Sequence, residues 1–229
     1  MRRSSAAAAA TAAMVTLLAA CAPTPSSPAD LDELLVERDR AVLEVHNATL
    51  DRLAGFLRNN WGPVTLPDES VERFVVGREW AGAVAACIGT LGFPGVGTSD
   101  GGERLDFSAV DITSPRENYE IDVATYRCYA RFPVRTRDDT RIHAVEAPWA
   151  HAFTRTTQLP CIAADGHPVP PLPERDVFAA VWRTDAAYDP FALIADPASR
   201  ARAEARCTGP ERMLDAAIDS PDRAEAVAP

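Results

Sequence analysis

The chain contains no lysine: all 23 of its basic residues are arginine. Two signatures that require a lysine, the phosphate-cradling Walker loop and the Ser-x-x-Lys pair of acyl-transfer enzymes, are therefore absent. No Rossmann glycine pattern and no Gly-x-Ser-x-Gly elbow occurs either, so nucleotide-binding and serine-hydrolase readings have no local support. The four histidines, His46, His143, His151 and His167, include no pair at the four-residue spacing, with an adjacent glutamate, that a zinc-hydrolase helix needs. His143 and His151 stand two turns apart on a helix, beyond shared ligation. The longest apolar run, residues 6–20, holds 15 residues, whereas a membrane-crossing helix needs about 20. Lysine-free composition together with heavy use of alanine reads as the bias of a GC-rich genome rather than as a mechanism.

Hydrophobic residues make up 47% of the 229 residues and aromatics 7%, a balance that fits a soluble globular chain of one domain or two small lobes. Arg2 and Arg3 followed by the apolar run and then by Cys21 have the order of a secretory signal. Leu18, Ala19, Ala20 and Cys21 resemble the bacterial lipobox, which implies cleavage before Cys21 and acylation of its thiol. Two or three acyl chains hold a protein on a membrane where one is marginal. The expected product is a lipoprotein on the extracytoplasmic face of the cell membrane, carrying palmitate-type lipid. Without residues 1–20 it has 21 basic and 33 acidic residues, a net charge of −12. That surface repels nucleic acid and is otherwise a solubility device.

Residues 21–29, rich in proline and serine, read as a tether. Residues 30–219 form the expected ectodomain, with lobes at about 30–135 and 140–212, and 220–229 a fraying tail. Leu31, Leu35, Val42, Val45, Thr49, Leu53 and Phe56 place one apolar stripe on a helix over 30–60, begun by Asp30 with Glu33 and ended by Gly62 and Pro63. Residues 71–76 read as a strand and 78–91 as a helix on which Trp80, Val84, Cys87 and Leu91 share a face. Residues 96–98 and 104–107 flank Asp100, Gly101 and Gly102 as a hairpin. Further helices are expected over 119–129, over 145–164 with a kink or new turn at Pro160, over 176–182 and over 197–207. The fold class is α+β, mainly helical, with a small antiparallel sheet and two disulfide-braced lobes.

One pattern recurs. Cys87 and Ile88 precede Gly92 and Pro94, and Cys161 and Ile162 precede Gly166 and Pro168 at the same spacing. Each is followed by a second cysteine, Cys128 after 41 residues and Cys207 after 46. Four cysteines in an exported chain imply two disulfides, with three connectivities possible. No two of them lie closer than 33 residues, which is incompatible with the paired spacing of a zinc site. The parallel spacings favour Cys87 with Cys128 and Cys161 with Cys207, each closing a loop within one lobe.

Residues 80–94, 128–133, 161–168 and 207–210 together resemble a group of small, largely uncharacterised actinobacterial lipoproteins. That resemblance spans roughly residues 67–210 and implies a compartment and a fold but no reaction. It departs at His167, where an aromatic is usual.

No catalytic, cofactor-binding or metal-binding residue is assigned. Glu69, Glu72 and Glu79 read as a solvated face. Among Trp61, Trp80, Trp149 and Trp182, any of which could form a sugar platform, Trp80 shares the spacing of core residues. The expected function is non-catalytic binding or interaction in the cell envelope, with a protein or glycan partner. The rivals are an envelope hydrolase that gathers carboxylates in space and a small solute-binding receptor. Oligomeric state is not set by the sequence.

Overall fold

A computed structural model describes residues 31–220. The signal segment, Cys21, the tether, the Asp30 cap and the tail beyond Ser220 lie outside the described residues. Within them the chain is mostly helical with a two-stranded antiparallel sheet and two disulfides, Cys87–Cys128 and Cys161–Cys207.

Helix α1 (Leu31–Trp61) is about 46 Å long at 1.5 Å per residue and packs against both α3 (Pro115–Arg131) and α4 (Thr140–Phe153). Leu34 and Leu35, near its start, share a core with Ala147, Ala150, Phe178 and Leu214 of the second half. Ala41 and Val42 meet Phe74 and Ile142 in its middle. At its end Trp61 meets the Tyr119 ring edge-on at 5.7 Å and donates to Asp122 at 2.8 Å. One helix thus runs along both halves. Its buried stripe differs from the sequence reading in two respects. Phe56 is 52% exposed, and Arg38 and Asp39 are buried. The charges go inside because partners wait there: Glu146 for Arg38 and Arg135 for Asp39.

The expected strand over 71–76 is not formed. The segment is held beside the end of α3 by a single parallel bridge, Val75 to Val134, in which the Val75 N–H donates to the Pro133 carbonyl and the Val75 carbonyl accepts from the Arg135 N–H. Ion pairs continue the attachment, Glu69 to Arg127 at 2.5 Å and Glu72 to Arg131. These two glutamates strap the segment to α3, Glu72 while staying exposed, as read, and Glu69 half-buried. Helix α2 (Gly77–Thr90) follows. The hairpin pairs β1 (Gly97–Ser99) with β2 (Arg104–Asp106) in the register Thr98 to Leu105.

Helix α3 starts four residues before the expected boundary. Ser114 caps it with a reciprocal bond to Glu117, and Pro115 occupies the first turn, where its missing N–H costs nothing. Helix α4 is likewise begun early, by the Asp139 side chain accepting from the Arg141 amide. A π-helical turn (Thr154–Gln158) joins α4 to α5 (Leu159–Ala164). The widened turn lets the helix continue past Pro160, whose ring would otherwise meet the carbonyl four residues back. Then come α6 (Arg175–Val181), α7 (Pro197–Arg206) and α8 (Pro210–Ile218). The last has no counterpart in the sequence reading; Gly209 stands at its N-cap and Pro210 in its first turn.

The echo in sequence is an echo in backbone geometry. Gly92 and Gly166 both have positive φ, 109° and 83°, the left-handed conformation that only glycine adopts without cost. Phe93 N–H donates back to Ile88 and His167 N–H back to Ile162, at 3.3 and 3.2 Å. Each disulfide then sits in its own apolar cluster, the first with Val84, Ile88, Ile121 and Phe132, the second with Ile162, Phe191, Ile194 and Ala203.

Candidate functional site

A groove of about 300 Å³ opens where α1, α2 and α3 converge on the segment that leads into α4. That is the lower end of ligand-sized cavities. Helix α1 presents Val42, Val45, His46 and Thr49 to it, a set at three- and four-residue spacing that one helical face must carry. Trp80 from the first turn of α2 and Tyr129 from the end of α3 form the aromatic wall, edge to face with centroids 4.7 Å apart. Asp138 and Asp139 stand at the mouth.

The polar groups differ in how far they are committed. Asp139 accepts from the Arg141 amide at 2.9 Å and from the Arg141 guanidinium at 3.0 and 2.9 Å. These bonds, the guanidinium's first, hold its carboxyl below the usual carboxylate range. It is a helix cap fixed as an anion. Asp138 is exposed, and its carboxylate makes no ion pair among the described residues.

His46 Nε2–H donates to the Ala130 carbonyl at 3.3 Å. Burial lowers its pKa in spite of that bond, so the ring is neutral at neutral pH and leaves Nδ1 as an acceptor. Burial pushes the Tyr129 hydroxyl up, and it stays a neutral phenol. Thr49 gives its proton to the Val45 carbonyl and accepts from Arg52. The groove therefore offers neutral donors and acceptors, an aromatic wall and one free carboxylate. A second cavity, of about 450 Å³, shares Val134, Thr136 and Asp138 with it. Its Arg135 and Arg137 are already paired, with Asp39 and with Asp215 and Asp219.

The other residues singled out in the sequence are placed elsewhere. Trp61 is fixed by Tyr119 and Asp122. Trp149 is buried and stacked on Phe153, while Trp182 is stacked on Phe178 and donates to Glu146 at 3.1 Å. His143 and His151 donate to the carbonyls of Arg137 and Pro173 at 2.6 and 3.0 Å, and His167 faces Asp165 at 3.6 Å. His143 and His151 thus fasten loops to α4. Among the described residues no three His, Cys, Asp or Glu side chains gather in a way that could hold a metal ion.

Sequence reasoning did not find Tyr129, which it read as a helix position beside Cys128, or Asp138. It also missed the buried network at Glu146, which accepts from Arg38 at 2.7 Å and from Arg183 at 2.6 Å. Arg183 continues to Asp215 at 2.9 Å and Glu211 at 3.3 Å. A lone glutamate between Val145 and Ala147, on an otherwise apolar stretch, was the available signal.

No family model, curated protein or solved structure matches the chain. What the groove does must follow from its own chemistry.

Proposed function

We propose that the protein is a lipid-anchored extracytoplasmic lipoprotein whose ectodomain binds an envelope ligand in the Trp80 groove without transforming it. The observation that carries the binding reading is that the groove holds no pair of carboxylates in which Asp139 could serve as the acid. Asp139 is fixed as an anionic cap by Arg141, which leaves Asp138 alone, and His46 is tied to Ala130 through Nε2 with Nδ1 left as an acceptor. A hydrolase built on paired carboxylates needs one of them protonated as an acid, and the Arg141 contacts push Asp139 the opposite way. The aromatic wall with neutral donors beside it is the composition that takes a sugar ring or a similar apolar-faced, hydroxyl-bearing ligand.

The anchor reading is supported by the order of charges, apolar run and Cys21 in the sequence, and by the resemblance to actinobacterial lipoproteins. No helix among the described residues is long and apolar enough to cross a membrane. Cys21→Ser should leave the protein unprocessed or release it to the aqueous phase in detergent partitioning. Equal partitioning of variant and wild type into detergent would end the anchor reading.

For the groove, soluble cell-wall glycan fragments should be retained by the wild-type protein and returned chemically intact. Trp80→Ala should weaken retention by about tenfold or more, the effect of losing one stacking aromatic. Fragments that come back shortened would replace the binding reading with the hydrolase.

A further inference from the structure

A third cavity, of about 130 Å³, lies beneath the π-helical turn. The turn itself presents Thr154 and Gln158 to it, residues only 1% and 4% exposed. Neither the Gln158 carboxamide nor the Thr154 hydroxyl forms a hydrogen bond among the described residues. Their polar ends are not sealed in protein either, since Arg38 Nη1 is the enclosed side-chain atom that lacks a partner among those residues. They open into the cavity they line. An amide end that faces a cavity rather than a protein partner keeps its donor and acceptor for a ligand, and π turns recur where a helix is bent to a function.

The remaining walls are aromatic: Phe178 and Trp182, stacked at 5.6 Å, and Tyr188, whose hydroxyl is tied to the Pro170 carbonyl. Gly209 forms part of the floor. A Cβ at that position would stand 2.9 Å from Gln158 Nε2, so glycine is what allows the carboxamide its place. The lining offers no unpaired charge to an ion. No basic side chain lines the cavity, and Glu211 at its rim is paired with Arg183 at 3.3 Å, whose guanidinium is further committed to Glu146 and Asp215.

We propose that this cavity binds a neutral secondary amide of the acetamido type. The amide N–H and C=O pair with the acceptor and donor of Gln158, the Thr154 hydroxyl supplies a further bond, and the methyl packs on Phe178 and Trp182. In the cell envelope such a group is carried by N-acetylated amino sugars and by peptide linkages. The site does not depend on the Trp80 groove, from which it differs in every wall residue.

The test is ligand-observed NMR and calorimetry on the full-length protein with three probes: N-acetylglucosamine, glucosamine, and N-acetylalanine methylamide. Saturation should transfer to the acetyl methyl of N-acetylglucosamine, and glucosamine should bind at least about tenfold more weakly. Whichever acetylated probe binds more tightly names the source, glycan or peptide. Gln158→Leu and Gly209→Ala should each weaken binding by roughly tenfold, the effect of a hydrogen-bonding group lost or displaced, while Trp80→Ala should not change it. Equal binding of the acetylated and free amino sugar, or no binding of either acetylated probe, would overturn the proposal without bearing on the groove. That comparison needs no variant to fold. Loss of binding in Trp80→Ala alone would move the acetamido site to the groove and likewise overturn it.

Discussion

Replacing Glu146 with glutamine should be the most damaging single polar substitution in the chain. Glu146 is 0% exposed and lies between two guanidinium groups, Arg38 at 2.7 Å and Arg183 at 2.6 Å, with the Trp182 indole N–H on the same oxygen as Arg183. Burial alone would raise its carboxyl, but the Arg38 hydrogen bond and the Arg183 charge outweigh that and hold it below the ordinary glutamate value. Glutamine keeps the shape and removes the charge, leaving Arg38 buried beside a neutral group. Arg38 cannot shed its proton to escape, and breaking a buried pair in this way costs about 3–5 kcal/mol. Against a typical domain stability of about 5–15 kcal/mol, the variant should unfold at a clearly lower urea midpoint and melt roughly 10 °C lower. The sign with pH is fixed by the lowered pKa. The ionised carboxylate's contribution is complete above the ordinary value of about 4.3 and is lost as pH falls through its lower folded value, so the gap between wild type and variant should close below about pH 4. A companion, Arg38→Met with Glu146→Leu, should recover most of the loss, because an apolar replacement of both partners leaves Arg183 with Asp215 and Glu211. Urea melts of E146Q within about 1 kcal/mol of wild type at neutral pH would refute this account of the network.

The second disulfide and the groove histidine are each open to a similar measurement. Cys161→Ala with Cys207→Ala releases a loop closed over 46 residues, so the melting temperature should fall by an amount equivalent to about 4 kcal/mol; peptide mapping should still recover Cys87 linked to Cys128, and a link from Cys87 to Cys161 in the native protein would contradict the fold. His46, kept neutral by burial, must take up a proton on unfolding in acid, so stability should start to fall as pH drops below about 6.5 and continue through its depressed folded value. His46→Gln keeps a donor for Ala130 and should flatten that part of the profile; identical slopes for variant and wild type would show that His46 is not the titrating group.

How much of this was legible in the sequence depends on whether the information was local. Cysteine spacing and the Gly-Pro helix ends were, because a helix terminus is decided within a few residues by which of them can adopt positive φ. Helix starts were less so, although Ser114 with Glu117 and Asp139 before Thr140 are local caps that mark α3 and α4. Gly209 and Pro210 show the ambiguity: the same pair that ends one helix is favoured at the first turn of another. The strand expected over 71–76 does not form because alternation shows only that a segment can be extended, and pairing needs a neighbour. Here the neighbour, residues 133–135, meets it at one position before the Arg135 side chain turns toward Asp39. Neither cavity could be read, since each joins residues from four separated stretches.

The two halves share a helix-end geometry and a disulfide each, yet α1 keeps them from being independent. Arg38 and Asp39 are neighbours in sequence, and on a helix adjacent residues point about 100° apart. One reaches Glu146 in the second half and the other Arg135 in the linker between the halves. Arg38 also donates to the Thr136 carbonyl, and Arg137 goes on to Asp215 and Asp219 in and just past α8. A single dipeptide on α1 therefore anchors the 134–139 segment, which is also the shared wall of the Trp80 groove and the cavity beside it. These ion pairs hold one wall of the groove, and the Cys87–Cys128 disulfide joins the two helices that carry its aromatic wall. Loss of Asp39 should accordingly disturb binding in the groove more than loss of the Cys161–Cys207 disulfide, which sits in a separate cluster, and retention of glycan fragments by Asp39→Asn, compared with the Cys161→Ala and Cys207→Ala double variant, measures it. Weaker retention in the cysteine variant than in Asp39→Asn would place control of the groove in the second lobe instead.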